Sequence, residues 1–99
     1  PSAMIAAYRR RRDEMCNRMK KMGLHFPAPQ GAFYCFPSIS EFGLSSEEFC
    51  TRMIQEAKLA AVPGICFGVE GYIRLSYCYS QAEIQEGMNR LEAFLKTLR

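Results

Sequence analysis

One arginine stands out by its setting. In Tyr72-Ile73-Arg74-Leu75-Ser76-Tyr77 apolar and polar residues alternate, the period of a strand with one buried face. Ile73, Leu75 and Tyr77 point one way, toward a core. Tyr72, Arg74 and Ser76 point the other way. Arg74 is the one basic residue in any segment that reads as a strand. A guanidinium held there can fork onto a carboxylate through two parallel hydrogen bonds, which fixes orientation as well as charge; a lysine ammonium does this less well. The plainer alternative is a wet sheet face on which Arg74 only reaches for water.

The other reactive side chains carry weaker signals. His25 has the right type for a general base, but it sits in a proline-rich connector with no partner nearby in sequence. Cys66 lies in a glycine-rich loop without a visible activating base, so an inert thiol is expected. Gly64-Ile65-Cys66-Phe67-Gly68 lacks the lysine and following hydroxyl residue of a phosphate loop. The five cysteines are spaced 12 to 19 residues apart, with no C-x-x-C pair, and zinc ligands normally come two to four residues apart. No metal site is expected. Free thiols suit a reducing compartment, so the expected location is cytoplasmic. Residues 9–21 hold seven basic groups, among them Arg9, Arg10, Arg11 and Arg12, against Asp13 and Glu14. This run reads as the solvated face of a helix rather than a nucleic-acid contact, since aromatic residues do not interleave with it beyond Tyr8.

The elements that must position Arg74 follow from periodicity. Residues 3–22 lack glycine and proline, with Met4, Tyr8, Met15, Met19 and Met22 on one stripe. They predict an amphipathic helix stopped by Gly23. His25 to Gly31 holds two prolines and reads as a rigid extended connector. Residues 32–36 predict a buried strand ending at Pro37, and 37–44 a loop. Ser45 and Glu48 have capping-box spacing and open a second helix with Phe49, Met53 and Ala57 on its apolar face. Residues 59–62 predict a strand stopped by Pro63-Gly64, residues 63–71 a loop, and 71–77 the strand of Arg74. Ser80 and Glu83 repeat the capping-box spacing, and a last helix to about Leu98 carries Ile84, Met88, Leu91, Leu95 and Leu98 on one stripe. The order helix, strand, helix, strand, strand, helix predicts a two-layer α/β (α+β) sandwich. Its small three- to four-stranded mixed sheet carries helices on one face. The unit at 32–62 could be a right-handed parallel crossover.

At 99 residues, 48% hydrophobic and 23% charged, the chain has the balance of one ordinary folded domain. No apolar run approaches the roughly 20 residues that span a bilayer. The apolar patch at Met4–Ala7 is too short for a signal peptide, and arginines follow it. Neither a membrane nor a nucleic-acid partner is expected.

Taken together, the motifs resemble a known family. Tyr8-Arg9-Arg10-Arg11-Arg12-Asp13, Pro29-Gln30-Gly31-Ala32-Phe33-Tyr34, Val62-Pro63-Gly64 with Phe67-Gly68, and Tyr72-Ile73-Arg74-Leu75-Ser76-Tyr77 follow one another in register. The chain looks like the C-terminal small domain of a class I/II, fold-type I aminotransferase, similar to the aspartate aminotransferase group. The resemblance covers nearly all 99 residues. It implies that residues 1–99 are one domain of a longer enzyme, with residues 1–22 a long helix leading in from a large domain. It implies that the parent moves an amino group between an amino acid and a 2-oxo acid with pyridoxal 5'-phosphate, and that it forms a homodimer. Arg74 falls where the family binds the α-carboxylate of its substrate. Gly31, Pro63, Gly64, Phe67 and Gly68 would line the cleft. The family's cofactor lysine and its other cofactor-holding residues belong to the large domain. None of Lys20, Lys21, Lys58 and Lys96 matches the lysine motif. By this reading the 99 residues hold no catalytic residue and are inactive alone. The alternatives are a non-catalytic α/β module that binds a small carboxylate or a protein through the open sheet face, and a basic nucleic-acid-binding module.

Overall fold

A computed structural model describes residues 2–29 and 33–99. The first helix, α1, spans Ser2–Lys21. Gly23 ends it with φ +84°, its N–H donating to the Lys20 carbonyl while the Leu24 N–H reaches back to Met19. That paired closure is what a left-handed glycine permits. Met15, Met19 and Met22 are buried, as their stripe predicts, but Met4 and Ile5 stand about half exposed. The stripe therefore meets the core only in its C-terminal half.

Strand β1 is Tyr34–Cys35, β2 is Val62–Pro63 and β3 is Ile73–Ser76. Helix α2 spans Ser46–Ala57 and α3 Gln81–Leu98. Both capping boxes form: the Ser45 and Ser80 hydroxyls accept from the Glu48 and Glu83 N–H, and each glutamate accepts from the serine backbone in return. The sheet order is β1-β3-β2, with β3 antiparallel to both neighbours. The expected mixed sheet is thus antiparallel in every pairing among the described residues. The β1–α2–β2 connection does return parallel to its start, but β3 is inserted between the two strands.

The strand boundaries also shift. The strand expected at 32–36 begins in residues outside the described set, and its pairing passes beyond Pro37 to a bridge between Ser38 and Tyr72. Pro37 does not stop the pairing, because its carbonyl accepts from the Ile73 N–H. β1 lies at the sheet edge, where a residue without an N–H is tolerated. The strand expected at 59–62 starts only at Val62, since the chain first leaves α2 through Lys58 in the left-handed region (φ 55°). Pro63 then pairs with Ile73 instead of ending the strand. Within the loops, Ser40–Phe42 and Gly64–Phe67 form short 3-10 turns.

One face of the sheet is core. Cys35, Ile73, Leu75 and Tyr77 are buried with Phe49, Met53, Ile84, Met88, Leu91, Phe94 and Leu95 from the helices. Phe49 packs edge-on against Phe94 at 5.3 Å between centroids. On the other face, Tyr34, Phe36, Tyr72, Arg74 and Ser76 are partly exposed. The alternation read from the sequence thus sets the two sides of the layer.

Candidate functional site

The open face is built around Arg74. Pairing of Tyr34 with Ser76 and of Ser38 with Tyr72 defines one continuous register, which puts Phe36 directly across from Arg74. Val62 faces it from the other side. The guanidinium carbon sits 4.3 Å from the Tyr34 ring centroid and 5.8 Å from that of Phe67. Phe67 in turn meets Phe36 edge-on at 5.6 Å. Stacking against these rings holds the guanidinium by its flat face and leaves its N–H edge free. Arg74 makes no ion pair among the described residues, and its buried Nε has no hydrogen-bond partner. A planar cation fixed by its face, with donors left over, is suited to take a carboxylate edge-on.

The loop that carries Phe67 is tied down from several directions. The Gly64 N–H donates to the Tyr72 carbonyl at 2.7 Å, and the Val69 N–H donates to the Gly64 carbonyl at 2.9 Å. A Cβ at Gly64 would run into the Val69 carbonyl oxygen and come within 2.5 Å of the Tyr72 carbonyl oxygen. Farther along, the Glu70 carboxylate accepts from the Ser46 N–H at 2.6 Å and from the Ser46 hydroxyl at 2.7 Å. The same hydroxyl accepts from the Ile65 N–H. Ser46 is fully buried, so α2, the turn and the strand entry share one hydroxyl. These donors, the Ser46 hydroxyl first, hold the Glu70 carboxyl below the ordinary carboxylate range.

Beside Arg74 the open face deepens into a hollow of about 580 Å³. It is lined by His25, Phe26 and Pro27 of the connector and by Phe36, Phe67, Val69 and Tyr72. The thiols lie elsewhere: all five are free, with Cys35 and Cys50 buried and Cys66 and Cys78 exposed. Cys16 and Cys35 approach to 4.0 Å between sulfurs. Burial raises the pKa of Cys35 well above the ordinary thiol range and pushes Cys50 up to about 11.

The predicted site residues fall as follows. Arg74 is central and Phe67 is in contact with it. Pro63 is in the flanking strand, Gly64 opens the turn, and Gly68 closes it with φ +82°. Gly31 lies outside the described residues. Sequence reasoning did not assign site roles to Tyr34, Phe36, Ser46 or Glu70. The signal for Tyr34 and Phe36 was present, since both alternate onto the face of Arg74. No local signal links Ser46 to Glu70, 24 residues away. His25, which has no partner in sequence, reaches the hollow through the fold.

The described residues do not form a cofactor site. Lys20 and Lys21 are in the last turn of α1 and Lys96 is in that of α3. Lys58 caps α2, its Nζ donating to the Gln55 carbonyl. All four are exposed, and none lines the hollow beside Arg74. Among the described residues no group of three or more metal-ligating side chains occurs, and no helix is long and apolar enough to cross a membrane.

Comparison with known proteins gives concordant results. The family model for aminotransferase class I and II matches residues 2–91. The chain is 48% identical over 95 residues to an aromatic-amino-acid aminotransferase of Thermococcus litoralis, covering 94% of this chain and 24% of that protein. It is 46% identical to an aspartate aminotransferase of Pyrococcus abyssi, again covering 94% of this chain and 24% of the relative. The crystal structure of an aromatic aminotransferase from Pyrococcus horikoshii superposes with a TM-score of 0.94 at 42% identity, covering 99% of this chain and 27% of that one. The chain therefore spans about a quarter of the length of the relatives it matches.

Proposed function

This chain belongs to the class I and II aminotransferase family, and on that footing we propose that it is the substrate-carboxylate-binding small domain of a longer, pyridoxal-phosphate-dependent aminotransferase. The parent would move an amino group between an amino acid and a 2-oxo acid. Arg74 would take the α-carboxylate of either substrate in a bidentate pair. Pro63, Gly64, Phe67 and Gly68, with Gly31, would line the cleft around it.

The observation that carries the reading is the state of Arg74 on the sheet face opposite the helices. It is stacked on Tyr34, unpaired among the described residues, and has a buried Nε without a partner. A buried donor left unmade is costly, on the order of 1–3 kcal/mol. A guest carboxylate would meet the remaining guanidinium N–H donors and acquire a fixed orientation. In such a cleft Arg74 would bind and orient the substrate. The cofactor supplies the electron sink when bound. Since the residues described here do not fit it, the groups that hold it would belong to the rest of the parent protein. The same proposal includes a homodimeric parent in the cytoplasm, the latter supported by five free thiols.

The test is made in the full-length parent. Arg74→Ala should raise KM and lower kcat/KM by about 30- to 900-fold, the loss of a buried charged contact of about 2–4 kcal/mol. Arg74→Lys should recover only part of it, because the ammonium cannot fork. An Arg74→Ala enzyme with unchanged kcat/KM would mean that the carboxylate docks elsewhere.

A further inference from the structure

We propose that Cys16 and Cys35 form a redox site: a small-molecule disulfide of the glutathione class closes them into a disulfide bond that ties α1 to β1 and weakens the carboxylate anchor on the far side of that strand. The effect on the anchor rests on the reading of Arg74 above; the bond itself does not. The two sulfurs meet at 4.0 Å, 19 residues apart in sequence. Bonded sulfurs stand about 2.05 Å apart, so each side chain has about 1 Å to travel. The two thiols differ in access: Cys16 on α1 is partly exposed and Cys35 on β1 is fully buried. Burial raises the Cys16 pKa, while the contact with Cys35 and the charges of Arg12 and Lys20, one helical turn to either side, limit the rise. Those two cations also suit an anionic disulfide. Cys16 gives up its proton, attacks the small disulfide and expels one thiolate. Cys35 then gives up its proton, attacks the Cys16 sulfur of the mixed disulfide and expels the second. The pair loses two electrons and two protons, and the small disulfide becomes two thiols. In a reducing compartment the pair stays open until such an oxidant accumulates. When it closes, β1 is the part that yields, being two residues long at the sheet edge, whereas α1 is a 20-residue helix. Cys35 points into the core and its neighbour Tyr34 onto the face of Arg74. Drawing Cys35 toward α1 draws the Tyr34 ring back from the guanidinium carbon, now 4.3 Å away.

The test separates the bond from its effect. The full-length parent is incubated with glutathione disulfide, trapped in acid, digested and mapped by mass spectrometry. A peptide pair joined through Cys16 and Cys35, two hydrogens lighter than the separate thiol peptides and released by dithiothreitol, is the expected product. Cys35→Ser should leave Cys16 as a mixed disulfide with glutathione, and Cys35→Ala serves if Cys35→Ser does not fold. Cys16→Ser should leave the buried Cys35 unmodified. Titration calorimetry with propanoate reads the anchor. Oxidation should weaken propanoate binding by about threefold or more in the parent, the loss of a cation–π contact, and leave Cys16→Ser unchanged; reduction should restore the parent. A parent in which Cys16 and Cys35 stay free, or take up glutathione separately, overturns the redox site. A bond that forms without any change in propanoate affinity overturns its coupling to Arg74. An Arg74→Ala enzyme that binds propanoate as tightly as the reduced parent overturns the anchor reading and leaves the redox site standing.

Discussion

Replacing Gly64 with alanine tests how the turn beside Arg74 is held. Gly64 does not need a left-handed conformation; positive φ occurs at Gly23, Gly43, Gly68 and Gly71. Its requirement is for space. An added Cβ meets the Val69 carbonyl oxygen and lies 2.5 Å from that of Tyr72, where a carbon–oxygen contact needs about 3.3 Å. The backbone must open by more than an ångström. The same opening stretches the Gly64–Tyr72 and Val69–Gly64 hydrogen bonds, now 2.7 and 2.9 Å. Overpacking costs about 1–3 kcal/mol and each lost hydrogen bond about 1 kcal/mol, so with both bonds lost a total of about 3–5 kcal/mol is expected. Gly68→Ala is the control. Its φ is +82° but nothing lies within 4 Å of the added Cβ, so only backbone strain of about 1 kcal/mol applies. Melting curves of the parent and both variants, followed by circular dichroism, should rank Gly64→Ala well below Gly68→Ala. An insoluble Gly64→Ala beside a soluble Gly68→Ala counts in the same direction. If Gly64→Ala melts level with Gly68→Ala or above it, the turn is not fixed by the approach of these carbonyls.

Ser46→Ala should destabilise by about 1–3 kcal/mol, seen as a fall in the urea midpoint, because the Ile65 N–H loses its acceptor in a partly buried place. Glu70 has a folded pKa below its unfolded value, so its contribution is present above the ordinary carboxylate range and is lost as pH falls through the lowered folded value. Glu70→Gln should therefore differ most from the parent near neutrality and converge with it in acid; a difference that grows as pH falls would contradict the Ser46 contact. Timed alkylation read by mass spectrometry should modify Cys66 and Cys78 first, Cys50 later and Cys35 only on unfolding. Labelling of Cys35 at the rate of Cys78 would place that thiol outside the core.

Much of the fold was legible where one local rule decided the outcome. Ser45 with Glu48 and Ser80 with Glu83 fixed two helix starts, because a capping box is complete within four residues. The alternation around Arg74 fixed which face of β3 is core, because a strand has no other way to arrange those side chains. The misjudged boundaries share a cause. Pro37 and Pro63 read as stops by local chemistry, yet both tolerate pairing: β1 and β2 are edge strands, and a missing N–H matters only on the bonded side. Met4 falls on the apolar stripe of α1 yet stands exposed, because periodicity reports a face and not what covers it. The Ser46–Glu70 anchor was invisible for a deeper reason, since a serine and a glutamate 24 residues apart meet only after β2, the turn and α2 are assembled.

The arginines of this chain show why Arg74 differs from a surface cation. Arg12, Arg18, Arg52, Arg90 and Arg99 each reach a carboxylate within 4 Å, all at partly exposed positions, where such pairs are worth at most about 1 kcal/mol. Arg74 is partly buried, with its Nε shielded from water, and it meets rings instead of acids. Stacking on Tyr34 and Phe67 contributes about 0.5–2 kcal/mol, which roughly offsets the about 1–3 kcal/mol cost of an unmade buried donor. Had a glutamate of this chain satisfied the guanidinium, the fold would be more stable and an incoming carboxylate would have to displace it. With rings as its partners, Arg74 keeps its position and its free edge together. The anchored turn matters for the same reason. Phe67 can steady the guanidinium only if its own backbone does not drift, and the Gly64 and Ser46–Glu70 contacts prevent that drift.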